Sequence, residues 1–240
     1  MSVLITICAR GGSKGIPGKN IKILNQKPLI WYTIDIAGKF QKQIKNTDIA
    51  LSTDSEEIKQ VAEDYGLHTT YTRPDLLSGD TAGKICVIAD VLNYYQQNSG
   101  KQYEYVLDMD VTSPLRNLDD LLTAFDVLKK NTEAVNLFSV SPASRNPYFN
   151  MVEQKPNGFF AQVKIPETGI LTRQSAPVVY DLNASFYFYR QSFFKQDYKG
   201  AITDRSLVYV VPHMCFDLDH PVDFDFLSYL MSNDKLDFEL

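Results

Sequence analysis

The sequence predicts an α/β fold, a mostly parallel sheet flanked by helices, and three observations carry that prediction. Strand and helix signals alternate through the first half of the chain. A glycine-rich basic loop follows the first strand, and paired aspartates end two later apolar runs, where parallel sheets hold their ligands. At 240 residues the chain suits a single domain over 1–240 with a substantial core.

The elements follow in order. Val3-Leu4-Ile5-Thr6-Ile7 is an apolar run of strand length, and Pro28 suits the first turn of a helix over Leu29 to Ala37. Asp48-Ile-Ala-Leu-Ser52 reads as the next strand. Thr53-Asp54-Ser55-Glu56-Glu57 then supplies a cap and first-turn acids for a helix ending near Gly66. Ile85, Ile88, Ala89 and Leu92 have helical spacing over 84–96, Tyr105 to Leu107 reads as a strand, and Leu118, Leu121, Leu122, Phe125 and Leu128 mark another helix. From Ser141 to Pro177 prolines and glycines interrupt short aromatic and β-branched runs, so this stretch reads as an excursion from the main fold. Alternation over Ala184-Ser-Phe-Tyr-Phe-Tyr189 resumes as a strand, Val208 to Val211 is another, and a helix runs from Pro221 to about Met231.

Composition excludes several functions. A formal charge of −5 argues against general nucleic-acid binding, although it permits a local basic pocket. Cys8, Cys86 and Cys215 are widely spaced, without a C-x-x-C pair or a His cluster, so neither a zinc site nor a disulfide framework is expected. His68, His213 and His220 show no mutual spacing and are read as neither ligands nor bases. With no basic leader and no apolar stretch of membrane-spanning length, the expectation is a reduced, cytoplasmic protein without membrane or nucleic-acid partners.

Residues 8–20, Cys-Ala-Arg-Gly-Gly-Ser-Lys-Gly-Ile-Pro-Gly-Lys-Asn, carry the most information. Three cations (Arg10, Lys14, Lys19) and four glycines (Gly11, Gly12, Gly15, Gly18) share one loop after a strand, so backbone N–H groups and positive side chains can converge on a phosphate chain. It is not a Walker A loop: with Gly18-Lys19 in that frame, Ser13 stands where the first glycine belongs and Asn20 where the magnesium-binding hydroxyl belongs. No trio of its glycines has the G-x-G-x-x-G spacing either.

The acids are at the other end of the chain. In an extended Cys215-Phe-Asp-Leu-Asp-His220, Asp217 and Asp219 point to one side, as a hard-oxygen site for Mg2+ requires. The alternative is a structural Asp217, with Asp219 and His220 capping the helix before Pro221. A triphosphate in the basic loop favours the metal, its usual partner. Asp108-Met-Asp110 ends the strand at Leu107 and either approaches the metal or caps the helix beginning near Asn117.

Together these features resemble the acylneuraminate cytidylyltransferases, which make CMP-activated sialic acids. The matching pieces are A-R-G-G-S-K-G-I-P-G-K-N at 9–20, L-S-T-D-S at 51–55, R-P at 73–74, T-S-P-L-R at 112–116 and F-D-L-D at 216–219. R-N-P-Y-F-N-M-V-E at 145–153 and T-R-Q-S-A-P-x-x-Y-D-x-N-A-S at 172–185 look most like the legionaminic acid branch. The resemblance implies a Rossmann-like fold of the nucleotide-diphospho-sugar transferase type, with a small dimerisation arm, here about 141–177, reaching into the partner's site of a homodimer. It implies that Arg10, Ser13 and Lys19 hold the triphosphate of CTP, with Asn20 and Arg73 near the cytidine and Lys84 as a further phosphate contact. Arg173 matches the family's essential arginine, and Tyr180 and Asn183 would lie near the sugar. Many relatives have Gln-Pro before T-S-P-L-R; this chain has Asp110-Val111, so Asp110 either binds metal or contacts a different sugar.

The implied reaction joins CTP to the anomeric hydroxyl of an acidic nine-carbon sugar and releases pyrophosphate. Mg2+ on Asp217 and Asp219, or Asp219 as a general base, would deal with the hydroxyl proton. The alternatives are a Kdo cytidylyltransferase, a hexose 1-phosphate nucleotidyltransferase, and a non-catalytic nucleotide-binding module.

Overall fold

The computed structural model describes residues 1–12, 15–79, 82–165 and 172–240. In chain order these form β1 (Val3–Cys8), a small hairpin of β2 (Ile23–Leu24) and β3 (Lys27–Pro28), α1 (Leu29–Gln43), β4 (Thr47–Ser52), α2 (Glu56–Asp64) and α3 (Lys84–Ser99). There follow β5 (Tyr105–Asp110), α4 (Leu118–Lys130), β6 (Asn136–Pro142), a second hairpin of β7 (Val152–Gln154) and β8 (Phe160–Gln162), β9 (Tyr180–Arg190), β10 (Ser206–Val210) and α5 (Pro221–Ser232).

The main sheet has the order β10-β6-β9-β5-β1-β4. Pairings of β1 with β4 and β5, and of β6 with β10, are parallel, while β9 runs antiparallel to both neighbours. The expected mostly parallel sheet is therefore present, with one reversed strand. Lying between two strands, β1 is buried on both faces and reads as a continuous apolar run. Val3, Ile5 and Ile7 join the apolar layer under α1, α4 and α5, whereas Leu4 joins the opposite layer with Ile88, Val91 and Leu92 of α3. Phe125 of α4 stacks on Phe188 of β9 with centroids 5.1 Å apart in the first layer.

The register gathers the site. Cys8 pairs with Ser52 on one side and Asp110 on the other, so the carboxyl ends of β1, β4 and β5 share one edge. Helix starts are fixed by short polar side chains: the Ser55 hydroxyl accepts the Ile58 N–H at 3.3 Å, and Asn117 and Asp120 form a reciprocal capping box on α4 at 2.9 Å each way.

Helices α1 and α3 run further than their apolar spacing predicts, to Gln43 and Ser99. The sequence reading names no strand at 136–142, where β6 lies at the heart of the second half of the sheet. Ser139 is buried there among the apolar residues, bonded to Asn183 at 2.6 Å, and this polar residue hides the strand pattern. Strand β9 starts four residues before the predicted Ala184; there Ala184 takes a left-handed φ of 56° and the pairing with β6 shifts register. The excursion at 141–177 holds the hairpin β7–β8, paired from Val152–Gln162 to Gln154–Phe160.

Candidate active site

The basic loop leaves β1 and is pinned by backbone. Ala9 N–H donates to Ser52 O at 2.9 Å, Gly11 N–H to Asp54 Oδ1 at 2.8 Å, and the buried Asn20 amide to Arg10 O at 2.9 Å. Gly18 has φ 61°, a left-handed turn that glycine takes without strain. The loop then meets the F-D-L-D segment. Lys19 Nζ donates to Leu218 O at 2.6 Å and stands 3.9 Å from Asp219 Oδ1, and a Cβ on Gly15 would fall 2.4 Å from Asp219 O. Only glycine permits that approach. The junction leaves a cavity of about 300 Å³ lined by Cys8, Arg10, Gly15, Lys19, Asn20, Thr112 and Asp219.

A second cavity of about 260 Å³ shares Cys8 and Arg10 and is walled by Arg73, Lys84 and Asp110. Arg73 is buried, its guanidinium donating to Ser52 Oγ at 3.0 Å and Ser52 O at 2.9 Å. Lys84 Nζ lies 2.9 Å from Asp108 Oδ2 and 2.5 Å from Asp110 Oδ2, and 4.8 Å over the Tyr187 ring. Burial alone would lower the Lys84 pKa, but the two carboxylates hold it well above the ordinary lysine range. Asp110 is raised, first by burial and further by the charges of Asp108 and Asp217, against the pull of Lys84. Burial pushes the Cys8 thiol up, so it is no thiolate nucleophile.

Arg116 supports this edge from beneath. It donates to the carbonyls of Asp110, Ser113 and Ser185 at 2.9, 2.6 and 2.9 Å and to Thr33 Oγ1 at 2.6 Å, fixing the turn after β5. Burial lowers its pKa to about 10.

Of the predicted residues, Arg10, Lys19, Asn20, Arg73, Lys84, Asp110 and Asp219 line these adjoining cavities. Asp217 is half-buried on the same segment, Oδ1 accepting its neighbour's Leu218 N–H at 2.8 Å. Asp223, rather than Asp219, caps α5 by accepting the N–H groups of Asp219 and His220 at 3.0 and 2.7 Å, which leaves the Asp219 carboxylate exposed. Ser13 lies outside the described residues. Arg173, Tyr180 and Asn183 are not among the residues lining either cavity. Arg173 is exposed and donates to Ala143 O at 3.1 Å; Tyr180 is exposed at the start of β9. Asn183 is buried, its Oδ1 accepting from Ser139 at 2.6 Å and its amide donating to Ser141 Oγ at 3.1 Å.

Sequence reasoning weighed Asp108 for the metal; the structure buries it, with Thr6 Oγ1 on Oδ1 at 2.7 Å and Lys84 on Oδ2. It did not single out Thr112, Tyr187 or Arg116 as site residues. The period-2 pairing of Thr6 with Asp108 was the available signal for the Asp108 environment, and it needs the strand neighbours to be known.

Among the described residues no group of three or more His, Cys, Asp or Glu side chains is arranged to hold a metal. Mg2+ is usually held by one or two carboxylates completed by substrate phosphates and water, a smaller donor set that the expected Asp217 and Asp219 would supply.

A basic glycine-rich loop meeting strand-end acids on a mostly parallel sheet defines a nucleotidyltransferase of the α/β class. The chain belongs to the cytidylyltransferase family, which residues 4–211 match. It is 37% identical to "Post-translational flagellin modification protein B" of Campylobacter coli, over 98% of this chain and 97% of that one. It is 36% identical to the CMP-N,N'-diacetyllegionaminic acid synthase of Campylobacter jejuni, over 96% and 95% of the two chains. Among solved structures, a CMP:2-keto-3-deoxy-manno-octonic acid synthetase complexed with CTP superposes with a TM-score of 0.67 at 16% identity, covering 98% of this chain and 100% of that one, a likeness of fold.

Proposed function

We propose that this chain is a cytoplasmic, homodimeric cytidylyltransferase that joins CMP to an acidic nonulosonate of the legionaminate type and releases pyrophosphate. The observation that carries the reading is the closure of the basic loop on the acid segment, through Gly15 against Asp219 O and Lys19 on Leu218 O. It sets the cations Arg10 and Lys19 and the carboxylate of Asp219 around one cavity, with Asp217 two residues away on the same segment. The likeness to the CMP-N,N'-diacetyllegionaminic acid synthase of Campylobacter jejuni supports the sugar class.

The anomeric 2-hydroxyl of the sugar attacks the α-phosphorus of CTP, the bond to the β-phosphate oxygen breaks, and the hydroxyl proton is lost. Such transfers ask mainly for alignment and charge stabilisation. Arg10 and Lys19 face the departing pyrophosphate, while the buried Arg73 extends positive charge along the second cavity. Asp217 and Asp219 would hold Mg2+, which supplies charge neutralisation at the phosphates and a lowered pKa for a nearby hydroxyl. Lys84 is engaged by Asp108 and Asp110, so its role is to neutralise the floor of the pocket more than to grip phosphate. Asp110 thereby faces an acidic sugar as half of an ion pair.

Pyrophosphate release from CTP and UTP, each with sialic, legionaminic, pseudaminic and Kdo acids, tests the proposal. CTP with legionaminic acid is expected to be the best pair. Turnover of hexose 1-phosphates, or indifference to CTP, overturns it.

A further inference from the structure

We propose that His213, held as an imidazolium against Asp120, is a positioning residue that locks the acid-bearing segment 212–219 onto the loop 110–116. The inference rests on the reading of Asp217 and Asp219 as the acid half of the site.

The charge state follows from hydrogen-bond geometry. His213 Nε2 is 2.8 Å from Asp120 Oδ2, and Nδ1 is 3.0 Å from Met214 O. A carboxylate and a carbonyl both only accept, so a ring serving both must donate from both nitrogens. The surroundings of Asp120 match: Asn117 N–H donates to Oδ2 at 2.9 Å and Tyr209 OH to Oδ1 at 3.0 Å, and among the described residues the carboxylate's other hydrogen-bond partner is His213. The two side chains retain 6% and 2% of their exposure, so a neutral ring would leave one nearly dry acceptor facing a lone pair.

The location gives this pair its consequence. Asp120 belongs to the capping box at the start of α4, directly after the turn that Arg116 braces. His213 sits between the last sheet bond of this segment, Val211 N–H to Val140 O at 2.9 Å, and the bond of Leu218 N–H to Thr112 O at 2.9 Å. One ion pair thus ties together the two stretches that carry Asp110 and Asp217. The tail closes over it: Phe238 stacks on the imidazole with centroids 3.6 Å apart, and both Asp237 oxygens lie 3.1 Å from Met214 N.

The charged and titratable groups facing His213 are Asp120 from α4 and Asp237 from the tail, with Tyr209 of β10 reaching it through the shared Asp120 carboxylate. Burial alone would lower its pKa, but the hydrogen bonds to Asp120 and Met214 O and the charges of both aspartates leave it above the ordinary 6.5. For a group raised in the folded state, the stabilisation is complete below the unfolded value and is lost as pH rises through the folded one. The lock therefore loosens on the alkaline side.

Two measurements test this. In protein with 15N-labelled histidine at about pH 7, the His213 signal, assigned by its loss in His213→Gln, is expected to show both ring nitrogens protonated; a neutral tautomer overturns the proposal. In the kinetic arm, the wild-type kcat with CTP and legionaminic acid is expected to fall as His213 deprotonates. His213→Gln should lack that limb and turn over about tenfold more slowly at neutral pH, with the KM for CTP within about twofold. The same alkaline limb in the variant, or an unchanged kcat at neutral pH, overturns positioning. If no acidic sugar is turned over, the proposed function fails, and the NMR state together with the pH dependence of the thermal-midpoint difference between wild type and His213→Gln still decides the lock.

Discussion

The cleft at the ends of β1, β4 and β5 and the hairpin β7–β8 are built on opposite plans. In the cleft, Asn20, Arg73, Asp108 and Arg116 are buried and each is held by named partners. In the hairpin, Val152, Phe159 and Phe160 stand out at 63, 75 and 66% exposure. Polar groups are inside and apolar groups outside, the reverse of ordinary partition. The cleft is a site prepared for charged ligands, since ordering buried polar groups in advance avoids reorganisation when charge arrives. The hairpin is an apolar surface that this chain alone does not cover.

Breaking the cleft at its acids is expected to have the largest effect. Asp217→Asn should lower turnover roughly a hundredfold or more while CTP binding survives, because the basic half is untouched. Steady-state pyrophosphate release and CTP titration separate the two terms. Wild-type turnover of the variant at limiting magnesium would remove Asp217 from the chemistry. Gly15→Ala comes next: its Cβ would lie 2.4 Å from Asp219 O, so the loop and acid segment must part. A displacement near 1 Å predicts a loss of about ten- to a hundredfold in kcat/KM with a folded protein. An unchanged kcat/KM would show that the closure of the loop on the segment is not needed.

Lys84→Met tests the ion pair beneath the pocket and is expected to act on stability. It leaves Asp108 and Asp110 without their cation, at a cost of about 2–3 kcal/mol, below the roughly 3–5 kcal/mol of a fully buried pair because the Lys84 side chain keeps 35% of its exposure. Asp110, already raised by burial, would lose the opposing pull of Lys84 and bind its proton more tightly folded than unfolded, so the variant should regain stability as pH falls and lose it as pH rises. Urea midpoints at about pH 5 and 8 read this out, and an equal deficit at both would show that the carboxylates are not the cause.

The two regions also differ in how far the sequence revealed them. The basic loop was legible because its residues act within one short stretch: three cations and four glycines behind an apolar strand name a polyanion site without any tertiary knowledge. Asp219, which the structure sets 3.9 Å from Lys19, lies in an equally short stretch, F-D-L-D at 216–219. What escaped depends on pairing across the sheet. Asp108 meets Thr6 because β5 lies beside β1, and Lys84 reaches both acids from the start of α3. His213 was dismissed for want of a neighbouring histidine, yet its partner, Asp120, is 93 residues away. Strand β6 hid because its buried Ser139 bonds a residue of β9. In each case the missing information was a partner's identity, and no periodicity within one segment supplies that.

The smallest expected effect on the folded chain comes from the hairpin, and it sharpens the contrast most. Phe159→Ser with Phe160→Ser removes two rings that are already in water, so stability of the isolated chain should change by no more than about 0.5 kcal/mol. If this face is the arm of the proposed homodimer, the same pair of changes should weaken self-association about tenfold or more, since buried aromatic anchors dominate interfaces. Sedimentation equilibrium of the double variant and wild type separates these effects. A large drop in thermal stability with unchanged association would mean that the hairpin packs on its own domain, and the comparison with the cleft would then be one of two internal surfaces. A shift in association alone would make the hairpin's exposed rings the complement of the cleft's buried charges: one region prepared for a nucleotide, the other for a second copy of the chain.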